Sequence, residues 1–299
     1  MNSFSNWLKA ARLRTLPLAV GGVILGGFLA GYEYAFSWPV MILTLLTAVL
    51  LQILSNLAND YGDFMQGTDQ AAGRNDRALA SGAISLQAMK NALWIIGGLT
   101  FACGLALLFM AFESPDLMFL LWLVIGILAI AAALKYTAGK NPYGYKGLGD
   151  LFVLLFFGPV AVGGTYFLMR GNLPANIFVP ALAFGLLCTV VLNINNLRDL
   201  ESDALAGKKT MVVRLGFAGG IWYQYILCGL AITLFILFAR ITASPLDHYL
   251  CILFGTIYYF ITQNLGKKPA GRDVYNNALK IVSLTNLAFV FLLGLLWLL

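Results

Sequence analysis

The chain has 299 residues, 60% of them hydrophobic and 11% charged, and its mean hydropathy is +0.83. That apolar share exceeds what a soluble domain of this size can bury, so a water-soluble enzyme or binding module is excluded and the protein belongs in a membrane. The formal charge of +6 does not point to nucleic acid, because the basic residues fall in short loops between apolar runs, where membrane topology already accounts for them.

In chain order, Phe4, Trp7, Leu8 and Ala11 share one face of a helix over residues 3–13, which predicts a short interfacial helix ahead of the first span. Crossing about 30 Å of hydrocarbon takes roughly 20 apolar residues in a helix. Nine runs qualify, over 15–32, 34–58, 92–112, 117–134, 151–169, 173–192, 215–239, 249–266 and 281–299. The first has basic residues ahead of it and imitates a signal peptide, but alternation of sides requires that it be kept. With that alternation, all but Arg170 and Arg240 of the 19 Lys and Arg residues lie on one face. The N-terminus is therefore expected in the cytoplasm and the C-terminus outside, in a multi-pass protein of the inner membrane surrounded by membrane lipid.

Cys103, Cys188, Cys228 and Cys251 lie within predicted spans without a CxxC pair and read as packing residues. The single histidine, His248, falls beside Asp247 on the external side and reads as a solvated loop residue. Gly-rich stretches such as "GGVILGGFLAG" and "FFGPVAVGG" suit close contacts between helices.

Chemistry concentrates behind two of the apolar runs. In "NLANDYGDFMQGTD", Asn56, Asn59, Asp60 and Asp63 recur at i, i+3, i+4 and i+7, with Asp69 following. In "NINNLRDLESD", Asn196, Asp199 and Asp203 recur at i, i+3 and i+7, with Asn195 one turn before Asp199. Both clusters close predicted spans at the cytoplasmic face, so two polar stripes are expected to face a common interior. Carboxylates gathered at one interface repel one another unless cations join them. Oxygen ligands without Cys or His suit Mg²⁺ rather than Zn²⁺. Because Mg²⁺ commonly joins a few carboxylates to substrate phosphates, a di- or triphosphate is the expected ligand. Arg12, Arg14, Arg74, Arg77, Lys140, Lys146 and Arg198 lie on the same face and supply charge for the remaining oxygens.

A diphosphate head with a tail in the membrane describes a polyprenyl diphosphate. Its ionisation leaves an allylic cation that an electron-rich ring can attack, and Tyr61, Tyr136, Tyr143, Tyr145 and Tyr166 offer π-faces to stabilise it. A cation-coupled transporter would place carboxylates midway across the membrane in inverted repeats. Here the acids sit at one interface, on spans of the same orientation, as if four spans had been duplicated in parallel and a ninth added.

"RTLPLA" at Arg14–Ala19, "NDYGD" at Asn59–Asp63, "PYGYKGLGD" at Pro142–Asp150 and "LNINNLRDLESD" followed by "GKKTMVVRLG" resemble the UbiA superfamily of intramembrane aromatic prenyltransferases, and within it the naphthoate branch. The resemblance covers nearly the whole chain. It implies a single domain over residues 1–299 of the class all-α integral membrane, with nine transmembrane helices around a central cavity opening at the cytoplasmic face and the two aspartate helices opposite each other. It implies that Asn59, Asp60 and Asp63, with Asp199 and Asp203, hold Mg²⁺ and diphosphate, Mn²⁺ being an acceptable substitute. Asp69 comes two residues later than in the general superfamily pattern, a spacing the naphthoate branch tolerates. The tyrosine and lysine expected after the fourth span correspond to Tyr136 and Lys140. The implied reaction is prenylation of 1,4-dihydroxy-2-naphthoate with loss of its carboxylate as CO₂. Lys140 or a nearby arginine would pair with that carboxylate while Tyr136, Tyr143 or Tyr145 packs on the rings. A sister enzyme acting on 4-hydroxybenzoate or homogentisate is the alternative.

Overall fold

The computed structural model describes residues 4–68, 77–139, 142–242, 245–267 and 271–298, and among them every regular element is helical. After the short α1 (Phe4–Ala11) come α2 (Leu16–Tyr32), α3 (Trp38–Met65), α4 (Leu86–Ala111) and α5 (Leu117–Lys135). Then follow α6 (Gly149–Arg170), α7 (Phe178–Arg198), the short α8 (Leu200–Leu205), α9 (Met211–Thr242), α10 (Pro245–Leu265) and α11 (Arg272–Leu298). Eight helices among the described residues are long and apolar enough to cross a membrane. Large apolar side chains such as Trp94, Ile95, Leu121 and Ile252 stand on exposed faces, a surface that lipid accepts and water does not. The protein is a multi-pass membrane protein.

The helix of the predicted span 249–266 forms as α10 but is not among the eight. Its 21 residues would cover about 31 Å, yet Asp247, Gln263 and Asn264 dilute its apolar character. His248 corrects the expectation of a solvated loop. It is half-exposed in the first turn of α10, and Asp247 beside it is buried, accepting from Trp297 Nε1 at 2.8 Å. The helix begins earlier than hydropathy marks, and the indole bonds one oxygen of the carboxylate in its first turn.

Several helices run past their predicted ends for a related reason. Hydropathy locates hydrocarbon, whereas a helix continues as long as its side chains find partners, so α3 reaches Met65 through Asn59, Asp60 and Asp63. Inside α6, Pro159 lacks an N–H and crowds the preceding turn, and Phe156–Gly163 widens into π-helix to accommodate it. Within α9, Gly216 adopts φ 70°, ψ 177°, a conformation that requires glycine and breaks the helix into two runs.

Contacts group the chain into two compact units. The first holds residues 1–16, 42–149 and 201–210, and its core joins Ala10, Leu57, Leu79, Ile84 and Met89, with Trp7 and Phe64 packed against them. Of the predicted interfacial face of α1, Phe4 and Leu8 are exposed, whereas Trp7 is half-buried and Ala11 buried. The second unit holds residues 17–41, 150–200 and 211–299, around Leu25, Phe184, Leu187, Phe235 and Phe289. Buried amides join its helices: Asn193 Nδ2 donates to Gly220 O at 3.0 Å and Gln224 Oε1 at 2.6 Å, and Asn286 joins Tyr258 to the Leu187 carbonyl.

The glycine-rich stretches do mark close approaches. A Cβ on Gly26 would strike the Val162 carbonyl and one on Gly158 the Ala181 carbonyl; on α7, outside those stretches, a Cβ on Gly185 would strike the Leu154 carbonyl. Gly185→Val is therefore expected to destabilise the protein by about 1–3 kcal/mol through overpacking. Gly98→Ala, where nothing lies within 4 Å of the new methyl, is expected to leave the melting temperature in detergent unchanged or raised.

Candidate active site

The corner between α1 and α2 is tied to α3. Asn56 Nδ2 donates to Ala11 O at 2.9 Å and to Thr15 Oγ1 at 3.1 Å, and Gln52 Nε2 donates to the same hydroxyl at 3.2 Å. Within this corner Arg12 takes a left-handed backbone, φ 50° and ψ 59°, which costs a non-glycine residue energy that its surroundings must offset. The offset is visible in its side chain. Arg12 lies 2.5 Å from Asp60 Oδ1, and Asn59, with its amide turned to accept, meets both terminal nitrogens at 2.8 and 3.0 Å. Arg77 donates to the same Asp60 oxygen. Two guanidinium groups on one buried carboxylate leave local positive charge.

One turn further along α3, Asp63 meets a different cation. Lys208 Nζ lies 3.0 Å from Asp63 Oδ1 and 3.4 Å from Asp203 Oδ1, so one ammonium joins the ends of both aspartate motifs. Tyr145 OH donates to Asp63 Oδ1 at 3.0 Å, with Thr68 Oγ1 2.5 Å from that hydroxyl. The loop that carries Tyr145 is strapped to α3: Thr137 Oγ1 donates to Ala58 O at 3.1 Å, and Gln66 Nε2 to Gly139 O at 2.8 Å. A Cβ on Gly62 would collide with Thr137, so this strap requires glycine there. Burial, and then the charge of Asp63, push the Tyr145 phenol well above its ordinary pKa, and it remains a donor.

The second stripe is corrected in one respect. It is not one continuous helix, because α7 ends at Arg198, Asp199 caps it with φ −102° and ψ 10°, and α8 restarts at Leu200. The break places Asp199 in the second unit and Asp203 in the first. Arg198 grips Asp199 with Nε at 3.0 Å and a terminal nitrogen at 2.6 Å, and also donates to Asn195 Oδ1 at 2.6 Å and Asn276 Oδ1 at 3.0 Å. Arg272 approaches the same carboxylate at 3.3 Å. Each motif thus has one aspartate held by two arginines, Asp60 or Asp199, and one held by Lys208, Asp63 or Asp203.

The other expected residues fall in varied places. Asn196 is buried, and Arg14 and Lys146 are exposed. Tyr136 packs edge-on against Tyr143 at 5.3 Å, and Tyr143 OH donates to Ala132 O at 3.0 Å, so both brace the loop. Burial raises the Tyr143 phenol as well. Tyr166 is not near the Gly149 end of α6, where it was expected: it lies in the last turns, about 25 Å along the helix from Gly149, and donates to Glu33 Oε2 at 2.5 Å. Asp69, Arg74 and Lys140 lie outside the described residues. Lys208, Thr68, Arg272 and Asn276 were not singled out from sequence. For Lys208 the available signal was its place five residues after Asp203.

Among the described residues no three Asp, Glu, His or Cys side chains gather tightly enough to hold a metal by themselves. What they offer is two carboxylates already sharing a cation. That fits Mg²⁺, which is usually bound through one or two carboxylates with the remaining positions left to water and substrate phosphates.

Helices apolar enough to cross a membrane, with paired acids and arginines gathered on aspartates, are thus what the described residues define. The profile of the UbiA prenyltransferase family matches residues 19–298, and the chain belongs to that family. It is 45% identical over 251 residues to the 1,4-dihydroxy-2-naphthoate octaprenyltransferase of Haemophilus influenzae, covering 83% of this chain and 81% of that one. It is 41% identical over 289 residues to the 1,4-dihydroxy-2-naphthoate octaprenyltransferase of Escherichia coli, covering 95% and 93%. A UbiA homolog from Archaeoglobus fulgidus bound to GPP and Mg²⁺ shares the fold, with a TM-score of 0.64 at 17% identity over 96% of this chain and 98% of that one.

Proposed function

We propose that the protein transfers a polyprenyl group from polyprenyl diphosphate to 1,4-dihydroxy-2-naphthoate, with loss of the carboxylate as CO₂, as a step in making menaquinone. The observation that carries the reading is the meeting of Asp63 and Asp203 on one cation, beside arginines arranged on Asp60. The names of relatives matched over most of their length support the acceptor.

Asp63 and Asp203 would hold Mg²⁺, or Mn²⁺ in its place, with Asp69 as a further oxygen donor. The metal, when bound, neutralises charge that builds on the departing diphosphate. Arg12 and Arg77 bind the outer diphosphate oxygens, while Asp60 and Asn59 hold Arg12 in its left-handed corner. In the second motif Arg198 and Arg272 are organised on Asp199. Tyr145 stays protonated, steadies Asp63 and offers its ring to cationic groups. The carbon–oxygen bond to diphosphate breaks, a carbon–carbon bond to the ring forms, and the acceptor carboxylate leaves as CO₂. Lys140 or a neighbouring arginine is proposed to pair with that carboxylate. The reading includes a single domain of nine helices around a central cavity open to the cytoplasm, with the N-terminus inside and α10 as the ninth span of the inner membrane.

An acceptor competition tests this reading. Detergent-purified protein given Mg²⁺, one prenyl diphosphate and equal amounts of 1,4-dihydroxy-2-naphthoate and 4-hydroxybenzoate is expected to consume the naphthoate in strong preference. Two rings gain more from aromatic packing than one. Equal turnover, or prenylation of 4-hydroxybenzoate alone, would assign the chain to another acceptor.

A further inference from the structure

Lys208 is buried, 8% exposed, on the turn that follows α8. Burying an ammonium is unfavourable unless it is paired. Here its partners come from distant parts of the chain: Asp63 from α3, Asp203 from α8, and the ring of Tyr145, whose centroid lies 4.8 Å from Nζ. The backbone fixes where the side chain starts. Lys208 N donates to Asp203 O at 2.9 Å and Lys209 N to Tyr145 O at 2.9 Å, while Gly207 at φ 71° reverses the chain. Lys209, next in sequence, is exposed.

The carboxylates that a divalent ion would join are thus already joined by a monovalent one. Oxygens around an ammonium stand at about 3 Å, whereas Mg²⁺ holds them at about 2.0–2.1 Å. The metal therefore cannot bind both carboxylates while the ammonium stays between them.

We propose that Lys208 is a built-in counter-ion that fills the metal position in the metal-free protein, and that the arriving divalent ion displaces its ammonium toward the diphosphate oxygens. The inference rests on the reading of Asp63 and Asp203 as the metal carboxylates. Charge favours this order of events. Two carboxylates with one ammonium carry one net negative charge, which attracts a divalent cation. After the exchange, the metal neutralises both carboxylates and the displaced ammonium adds positive charge for the diphosphate.

The test measures metal binding without prenyl diphosphate, by titrating full-length protein in detergent with Mn²⁺ and following free Mn²⁺ by electron paramagnetic resonance. Lys208→Met removes the competitor and is expected to bind Mn²⁺ roughly tenfold more tightly than wild type. Its melting temperature should be lower in EDTA and should rise further on adding Mg²⁺. Lys208→Arg, which keeps the charge, and Lys209→Met, which changes an exposed neighbour, are expected to bind as wild type does. An unchanged or weaker Mn²⁺ affinity in Lys208→Met would overturn the proposal. Asp63→Ala separates this from failure of the underlying reading: if it binds Mn²⁺ as tightly as wild type, the metal assignment itself is wrong. A second measurement needs no variant. Acetylation of Lys208 in wild type, followed by mass spectrometry, should increase when Mg²⁺ replaces EDTA and fall again with a non-hydrolysable prenyl diphosphate. Labelling indifferent to Mg²⁺ would equally overturn it.

Discussion

Alanine at Asp63 or at Asp203 is expected to lower turnover by roughly three orders of magnitude while the protein still inserts and folds. The effect is large because the charge of the leaving diphosphate develops where little water is available to share it. On the proposed assignment, loss of either carboxylate would remove one of two anchors for the cation that neutralises that charge. Folding survives better than activity, because Lys208 keeps one carboxylate partner in each variant. Rates measured beside circular dichroism and gel filtration check this. A variant that kept wild-type turnover would remove that aspartate from the site.

Alanine at Asp60 is expected to fail in the opposite way. Asp60 is 2% exposed and receives both Arg12 and Arg77. Its removal strands two guanidinium groups and withdraws the partner that offsets the strained backbone of Arg12. Breaking a buried pair by deleting one member typically costs about 3–5 kcal/mol, so the melting temperature should fall steeply, in EDTA as much as in Mg²⁺. Arg77→Ala should cost less, since Arg12 remains on the carboxylate. If Asp60→Ala melts as wild type does in EDTA yet loses metal affinity, Asp60 is a metal ligand and not an arginine holder.

These contrasts show where sequence was sufficient. The helices could be read because lipid imposes a length and a composition, and the stripe Asn56, Asn59, Asp60 and Asp63 could be read because α3 is continuous through it. The second stripe was assumed equally continuous, but Asp199 ends α7, and periodicity cannot report a C-cap that Arg198 stabilises through side-chain bonds. Arg77 was expected to face diphosphate and Lys208 was visible only as one more loop cation, since topology demands such residues whether or not they meet an acid. Their pairing depends on tertiary structure, as does that of Arg272 with Asp199, 73 residues apart. His248 was placed in a loop for the same reason, since the indole that meets neighbouring Asp247 lies 50 residues away in α11.

The division of labour among the four aspartates also explains why the motifs carry more carboxylates than one ion requires. On the proposed reading Asp60 and Asp199, each in contact with two arginines, organise guanidinium groups, while Asp63 and Asp203 are left for a cation.

The most direct measurement follows 1,4-dihydroxy-2-naphthoate labelled with ¹⁴C in its carboxylate, incubated with purified protein and a polyprenyl diphosphate. With Mg²⁺, equal amounts of ¹⁴CO₂, inorganic diphosphate and prenylated naphthalenediol are expected, and in excess EDTA none of the three. Undiminished turnover in EDTA, or a prenylated product that retains the label, would contradict the account.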